Sequence, residues 1–236
     1  MPYLNAIRAF SKLPWRKNSY HLVSVNFDHL KKISSSAALL LTAELSRWDD
    51  SIRNMLKPSI DNWNDEILEK FYYLGFFDLF KRSGIKSIGE DGKSDVRIVK
   101  YVKGNKENKD YQSLKKQLFE VVGEKIKKWT FLHSGLDEAI TNVGHHAYPE
   151  SSRVKLKDKN WYITGAFNKA TKELKVVFFD QGIGIPRSLP TSKIWEQVLS
   201  FMSFLNYANK LKDATLLRAA MEVDRTRTGE VDRGKG

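Results

Sequence analysis

Cysteine is absent from the 236 residues. That excludes a disulfide framework, a thiolate zinc site and a thiol nucleophile, and makes a reducing, cytoplasmic compartment the simplest home, with no sign of secretion. Long hydrophobic runs are lacking too. The longest, Ala37 to Leu41 and Phe71 to Phe77, fall far short of the roughly 18–20 residues that span a bilayer, so neither a transmembrane helix nor a membrane partner is expected. The first 27 residues contain no acid, while Arg8, Lys12, Arg16 and Lys17 accompany Leu4, Ile7 and Phe10 at helical spacing. This loosely mimics a transit peptide or surface anchor; a short basic lead-in over residues 1–20 is the simpler reading.

The chain is rich enough in apolar residues (41%) and aromatics (12%) to build a packed core. Its 40 Lys and Arg outnumber 28 Asp and Glu, for a net charge of +12. The surplus is +1 over residues 1–80, +7 over 81–130 and +4 over 131–236. In the middle block, lysines alternate with Asn, Glu and Gly from Lys103 to Lys109, which reads as a solvated connector and helix face more than a nucleic-acid groove.

Leu22 to Phe27 alternates like a short strand. Ile33 to Leu56 opens with three serines, any of which can cap a helix, and carries Leu41, Leu45, Trp48, Ile52 and Met55 at steps of three and four. One helix with one buried stripe is predicted, stopped by Pro58, and a second over Glu66 to Leu74. Turn chemistry from Gly84 to Lys93 precedes a strand at Val96 to Val102, and a domain boundary is placed at 92/93. Leu114 to Trp129 reads as a long amphipathic helix, followed after Ser134 and Gly135 by another over Leu136 to Ala147. Trp161 to Phe167 and Leu174 to Asp180 form a hairpin around a polar turn, and Ile194 to Met221 is helical again.

Three segments carry candidate chemistry. Glu138 and Asn142, four apart on one helix, project from about the same face; a carboxylate and a carboxamide there can polarise water and hold Mg²⁺ through oxygen, or form an ordinary solvated face. His145 and His146 point to different sides of a helix and do not make an i,i+4 zinc pair. In VVFFDQGIGIP, a strand delivers Asp180 followed by Gly182 and Gly184, which suits a carboxylate accepting from an exocyclic amine beside a flat ligand, or a plain tight turn. A dinucleotide fingerprint fails, because its third glycine falls at Arg187 and Pro186 interrupts the early helix. GEVDRGKG at 229–236 has phosphate-loop spacing up to Lys235 but puts Gly236 where Ser or Thr is needed. Arg227, Thr228 and Lys235 with nearby glycines still suit phosphate, or a tail.

Taken in order, LDEAITNVGHHAY, VVFFDQGIGIP and RTGEVDRGKG resemble the nucleotide-binding boxes of the GHKL (histidine kinase-like, Bergerat-fold) ATPases, and the first looks closest to the anti-sigma-factor serine kinases. The resemblance covers about residues 110–236. It implies that Glu138 activates the attacking water, Asn142 holds Mg²⁺, and Asp180 binds the adenine amino group while Gly182 and Gly184 let the chain pass under the base. His146, Arg227, Thr228, Gly234, Lys235 and Gly236 would lie toward the phosphates, and Ile185 to Arg233 would form a lid. The front half, NFDHLKKISSSAALLLTAELSRW with LEKFYYLGFFDLF, is similar to STAS-like domains, whose phosphorylatable serine matches Ser35; a plain N-cap role for Ser35 is the preferred reading.

The expected fold class is therefore α/β: a STAS-like layer over 21–92, then a Bergerat-type sandwich of helices on a mixed sheet over 93–236. The family pattern places a helix and two further strands after the last glycine box, so the chain is expected to be a fragment, or to have a partner complete the layer. The implied function is Mg²⁺-dependent ATP binding and hydrolysis coupled to the STAS-like domain. The cofactors are ATP and Mg²⁺, with a protein partner reached through the STAS-like domain or the lid; a homodimer is compatible, and nucleic acid is not favoured. Two alternatives stay open: serine phosphorylation of a separate partner, and a non-catalytic interaction module. No acceptor stands out among His21, His29 and His133.

Overall fold

The computed structural model describes residues 24–81, 95–108, 111–150, 154–204 and 212–228. The lead-in over 1–20, the turn-rich 84–93 with the boundary at 92/93, Lys109, and the last box over 229–236 lie outside the described residues, as do the side chains of Arg227 and Thr228.

The chain is mixed α/β, with two open sheets among the described residues. Strand β1 (Ser24–Asn26) pairs in parallel with β2 (Lys57–Ser59), and between them run α1 (Ser35–Ser46) and α2 (Asp50–Arg53). The single helix predicted over 33–56 is thus two. Asp49 interrupts it by accepting from the Ser51 N–H at 3.0 Å and the Ser51 hydroxyl at 2.8 Å, a new N-cap that competes with helix continuation. Trp48, Ile52 and Leu56 are buried across the break, so the apolar stripe persists while the backbone does not. Met55, expected in the stripe, is exposed. The cap of α1 is Ser34, whose Oγ accepts from the Ala37 N–H at 3.1 Å; Ser35, expected as the cap, is the first helical residue. Pro58 lies within β2 instead of stopping a helix.

Helix α3 (Asp65–Leu74) follows the prediction closely. Asn64 caps it through the Glu66 N–H at 3.0 Å, and Gly75 ends it at φ 87°, where a left-handed residue is required. Ile67, Phe71 and Leu74 form its buried face, and Phe71 stacks on Phe27 at 5.2 Å and meets Phe76 at 4.5 Å.

In the second sheet, β3 (Val96–Ile98) and β4 (Val102–Gly104) pair with opposite ends of one edge of β5 (Trp161–Asn168), and β6 (Glu173–Asp180) pairs with the other edge. The strand expected over 96–102 is therefore two short ones. All pairings here are antiparallel, whereas the resemblance implies a mixed sheet.

Both faces of this sheet are covered. Tyr162, Ala166, Val177 and Phe179 pack in one apolar cluster with α1 and α3, while Trp161, Ile163, Val176 and Phe178 pack with α4 (Gln112–Val122) and α5 (Trp129–Asn142). The long helix predicted from 114 to 129 breaks at Gly123, φ 74°, and Ser134 and Gly135, expected between helices, lie inside α5. Tyr111 Oη and His133 Nδ1 both donate to Asp137, at 2.8 Å each, and lock the start of α4 to α5. A third cluster joins α6 (Ile185–Ser188), α7 (Trp195–Phe204) and α8 (Asp213–Thr228) through Leu189, Val198, Met202, Leu216 and Val223. Among the described residues no helix is long and apolar enough to cross a membrane.

Burial pushes the phenols of Tyr111 and Tyr148 upward and that of Tyr162 up to about 12. A phenol whose pKa is raised by folding contributes stability that is complete below its ordinary value near 10 and is lost as pH rises through the folded value. The tyrosine contribution to the urea midpoint is therefore expected to stay level from pH 7 to about 9.5 and to fall above about 10, against an opposing rise from Lys70 and Lys103, whose ammonium pKa burial lowers. Tyr162→Phe should remove about one proton from that dependence, or about 1.4 kcal/mol per pH unit between 10 and 12. An unchanged slope in Tyr162→Phe would show that its phenol is not held neutral.

Candidate functional site

The first two motif segments meet in space. Helix α5 presents Glu138 and Asn142 to solvent on one face, as the spacing predicts, and Asn142 Nδ2 donates to Glu138 Oε1 at 3.2 Å. Leu136, Ile140 and Val143 are the buried side. At Val143 the helix widens into a π turn (Val143–Ala147) carrying His145 and His146, both exposed, their rings perpendicular at 5.9 Å. Single π turns of this kind recur at functional sites.

The end of this turn abuts the glycine motif. The Ile183 N–H donates to the Ala147 carbonyl at 2.9 Å, and a Cβ built on Gly182 would lie 2.5 Å from both the Cβ and the carbonyl oxygen of Ala147. Gly182 is thus required for close packing of the two segments. Gly184 is required for a different reason, its φ of 82°, and leads into α6 with Pro186 in the first turn.

Asp180 ends β6 as expected, and its Oδ1 accepts from the Gly182 N–H at 2.8 Å, which fixes the turn. Asp180 is in register with Trp161, whose ring belongs to the α4–α5 cluster, so the carboxylate emerges on the face that carries α5. Among the described residues Asp180 Oδ2 makes no hydrogen bond, while Oδ1 is taken by the Gly182 N–H. Tyr148 braces the motif: its Oη accepts from the Gln181 N–H at 3.1 Å and donates to the Asn160 carbonyl at 2.8 Å. Burial is the main reason the Tyr148 phenol is raised, and the Asp180 charge adds to it.

Neither Tyr148 nor Ala147 is singled out by spacing, although both close the first motif in the sequence. Lys106 reaches the π turn as well, its side chain 3.7 Å from where a Gly144 Cβ would be. The described part of the expected lid is helical and packs as its own cluster, with α6 touching the π turn.

For Mg²⁺ the donor set is hard oxygen. Asn142 spends its N–H on Glu138 and keeps its carbonyl oxygen for another partner, which suits an ion that takes one or two protein oxygens and fills its remaining positions with water and phosphate. No group of three or more His, Cys, Asp or Glu positioned for a metal occurs among the described residues. Compared with protein-family models, curated proteins and solved structures, the chain matches none.

Proposed function

We propose that residues 93–236 form a Bergerat-type, Mg²⁺-dependent ATP-binding module that hydrolyses ATP, and that the STAS-like layer ahead of it regulates the site. The observation that carries this reading is the packing of Gly182 on Ala147, which joins the helix bearing Glu138, Asn142 and His146 to the strand end bearing Asp180. Asp180 Oδ2 accepts from the exocyclic amine of adenine, and Gly184 allows the chain to turn beside the base. Asn142 holds Mg²⁺, which supplies charge neutralisation on the phosphates when bound. Glu138, exposed and steadied by the Asn142 amide, orients water and takes its proton. His146 and the segment from Arg227 through Thr228 to Gly234, Lys235 and Gly236 meet the phosphate anion.

Regulation by the front half has a direct physical route, since α1 packs on β5 and Ser46 Oγ lies 2.7 Å from Tyr162 Oη. A thermal-shift titration of the whole chain with ATP and Mg²⁺ is the test. At a hundredfold excess over Kd, binding confined to the native state adds about 2.7 kcal/mol. Asp180→Ala should weaken ATP at least tenfold, because one charge-assisted hydrogen bond is lost. A wild-type protein with no ATP-dependent shift would sink the proposal.

A further inference from the structure

We propose a second ligand site, for a phosphate group, at the C-terminal end of α1, lined by Arg47, Tyr148, Tyr162 and Gln181. It stands on observations separate from the nucleotide reading. Gln181 is 7% exposed, yet neither Nε2 nor Oε1 of its carboxamide has a hydrogen-bond partner. Native folds rarely leave a buried donor and a buried acceptor on one side chain both unmatched. Continuing the β5–β6 register one step past Trp161 and Asp180 sets Gln181 across from Asn160, on the face of Tyr162 and opposite that of Asp180.

An unpaired cation stands at the end of α1 that Ser46 Oγ holds 2.7 Å from Tyr162 Oη. Arg47 follows Ser46 at the end of α1, is half-buried, and its guanidinium makes no ion pair or hydrogen bond among the described residues. Its charge reaches the phenols of both Tyr148, which accepts from the Gln181 N–H, and Tyr162, which meets Ser46. Lys103 adds a second cation, 5.8 Å above the Tyr162 ring. The acids that act on these phenols are Asp180 at Tyr148 and Asp158 at Tyr162.

A phosphate or phosphomonoester complements this set. Its anionic oxygens accept from the Arg47 guanidinium and from Gln181 Nε2, and near neutral pH its P–O–H, when protonated, donates to Gln181 Oε1. Sulfate carries no proton at that pH and leaves Oε1 unmatched.

The test follows the thermal midpoint of the whole chain at pH 7 in inorganic phosphate, against potassium chloride and sulfate at equal ionic strength. We expect a saturable rise with phosphate and a response at least fivefold weaker with sulfate. Arg47→Gln should abolish the rise. Gln181→Leu should abolish it as well, while leaving the midpoint without phosphate equal to or above that of the wild type. His146→Ala, which removes a side chain assigned to the phosphates of the nucleotide, should retain the rise, which separates this site from the nucleotide site. The site is overturned by no saturable rise, by an equal response to sulfate, by loss in His146→Ala, or by a lowered phosphate-free midpoint in Gln181→Leu.

Discussion

Trp161→Ala is expected to lower the unfolding free energy by about 3–5 kcal/mol, read as a fall in urea midpoint at unchanged slope. The ring is fully buried, stacks on Phe178 at 6.4 Å and donates through Nε1 to the Asn105 carbonyl at 3.3 Å. Its removal takes out the centre of the α4–α5 cluster and leaves a cavity that rigid strands on both sides of β5 cannot close. The neighbouring glycine makes the prediction sharper. A Cβ on Gly104 would lie 2.0 Å from Trp161 Cζ2 and 2.5 Å from the Asn108 carbonyl oxygen, so Gly104→Ala alone should cost about 1–3 kcal/mol by overpacking. With Trp161 already truncated the ring clash is gone, and the same substitution should cost less, with a coupling of about 0.5–3 kcal/mol between the two sites. Equal cost in both backgrounds would mean that the Asn108 carbonyl, not the indole, sets the limit at position 104.

Glu138→Ala should reduce phosphate release from ATP by about 10²–10⁴-fold while ATP affinity changes less than twofold. The carboxylate is exposed on α5 and, among the described residues, bonds to the Asn142 amide alone, so its loss leaves the helix intact and removes the group we propose as the acceptor of a proton from water. Asn142→Ala should behave differently, weakening ATP in the presence of Mg²⁺ and changing affinity little in its absence. Undiminished turnover in Glu138→Ala would reduce the pair to a solvated helix face, the competing reading of its spacing.

How far the sequence disclosed these features depends on the range of the force involved. Ile67, Phe71 and Leu74 at helical spacing disclosed α3 because periodicity reports burial directly, whereas β5 and β6, covered on both faces, showed as short aromatic and β-branched apolar runs around a polar turn. The same signal misled at α1 and α2, where Trp48, Ile52 and Leu56 keep the stripe in phase across a break made by the Asp49 side chain. Gly123 was readable as a left-handed helix end, yet the apolar positions beyond it continued the pattern. At the candidate site, Glu138, Asn142 and Asp180 stand out by type and spacing. The π turn, the Gly182–Ala147 contact and the Tyr148 brace arise only when two distant segments pack, and no local pattern encodes them.

The covering of β5 by α1 also sets a timetable for synthesis. Ser46 and Tyr162 are 116 residues apart, and translation at about 5–20 residues per second separates their emergence by roughly 6–23 s. For that interval Leu39, Ala43 and the rest of the inner face of α1 lack the second sheet, whose Tyr162 and Ala166 complete their cluster. The nascent front half must therefore hold its apolar surface in a provisional arrangement, or in the grip of a chaperone, until the β5–β6 hairpin leaves the ribosome.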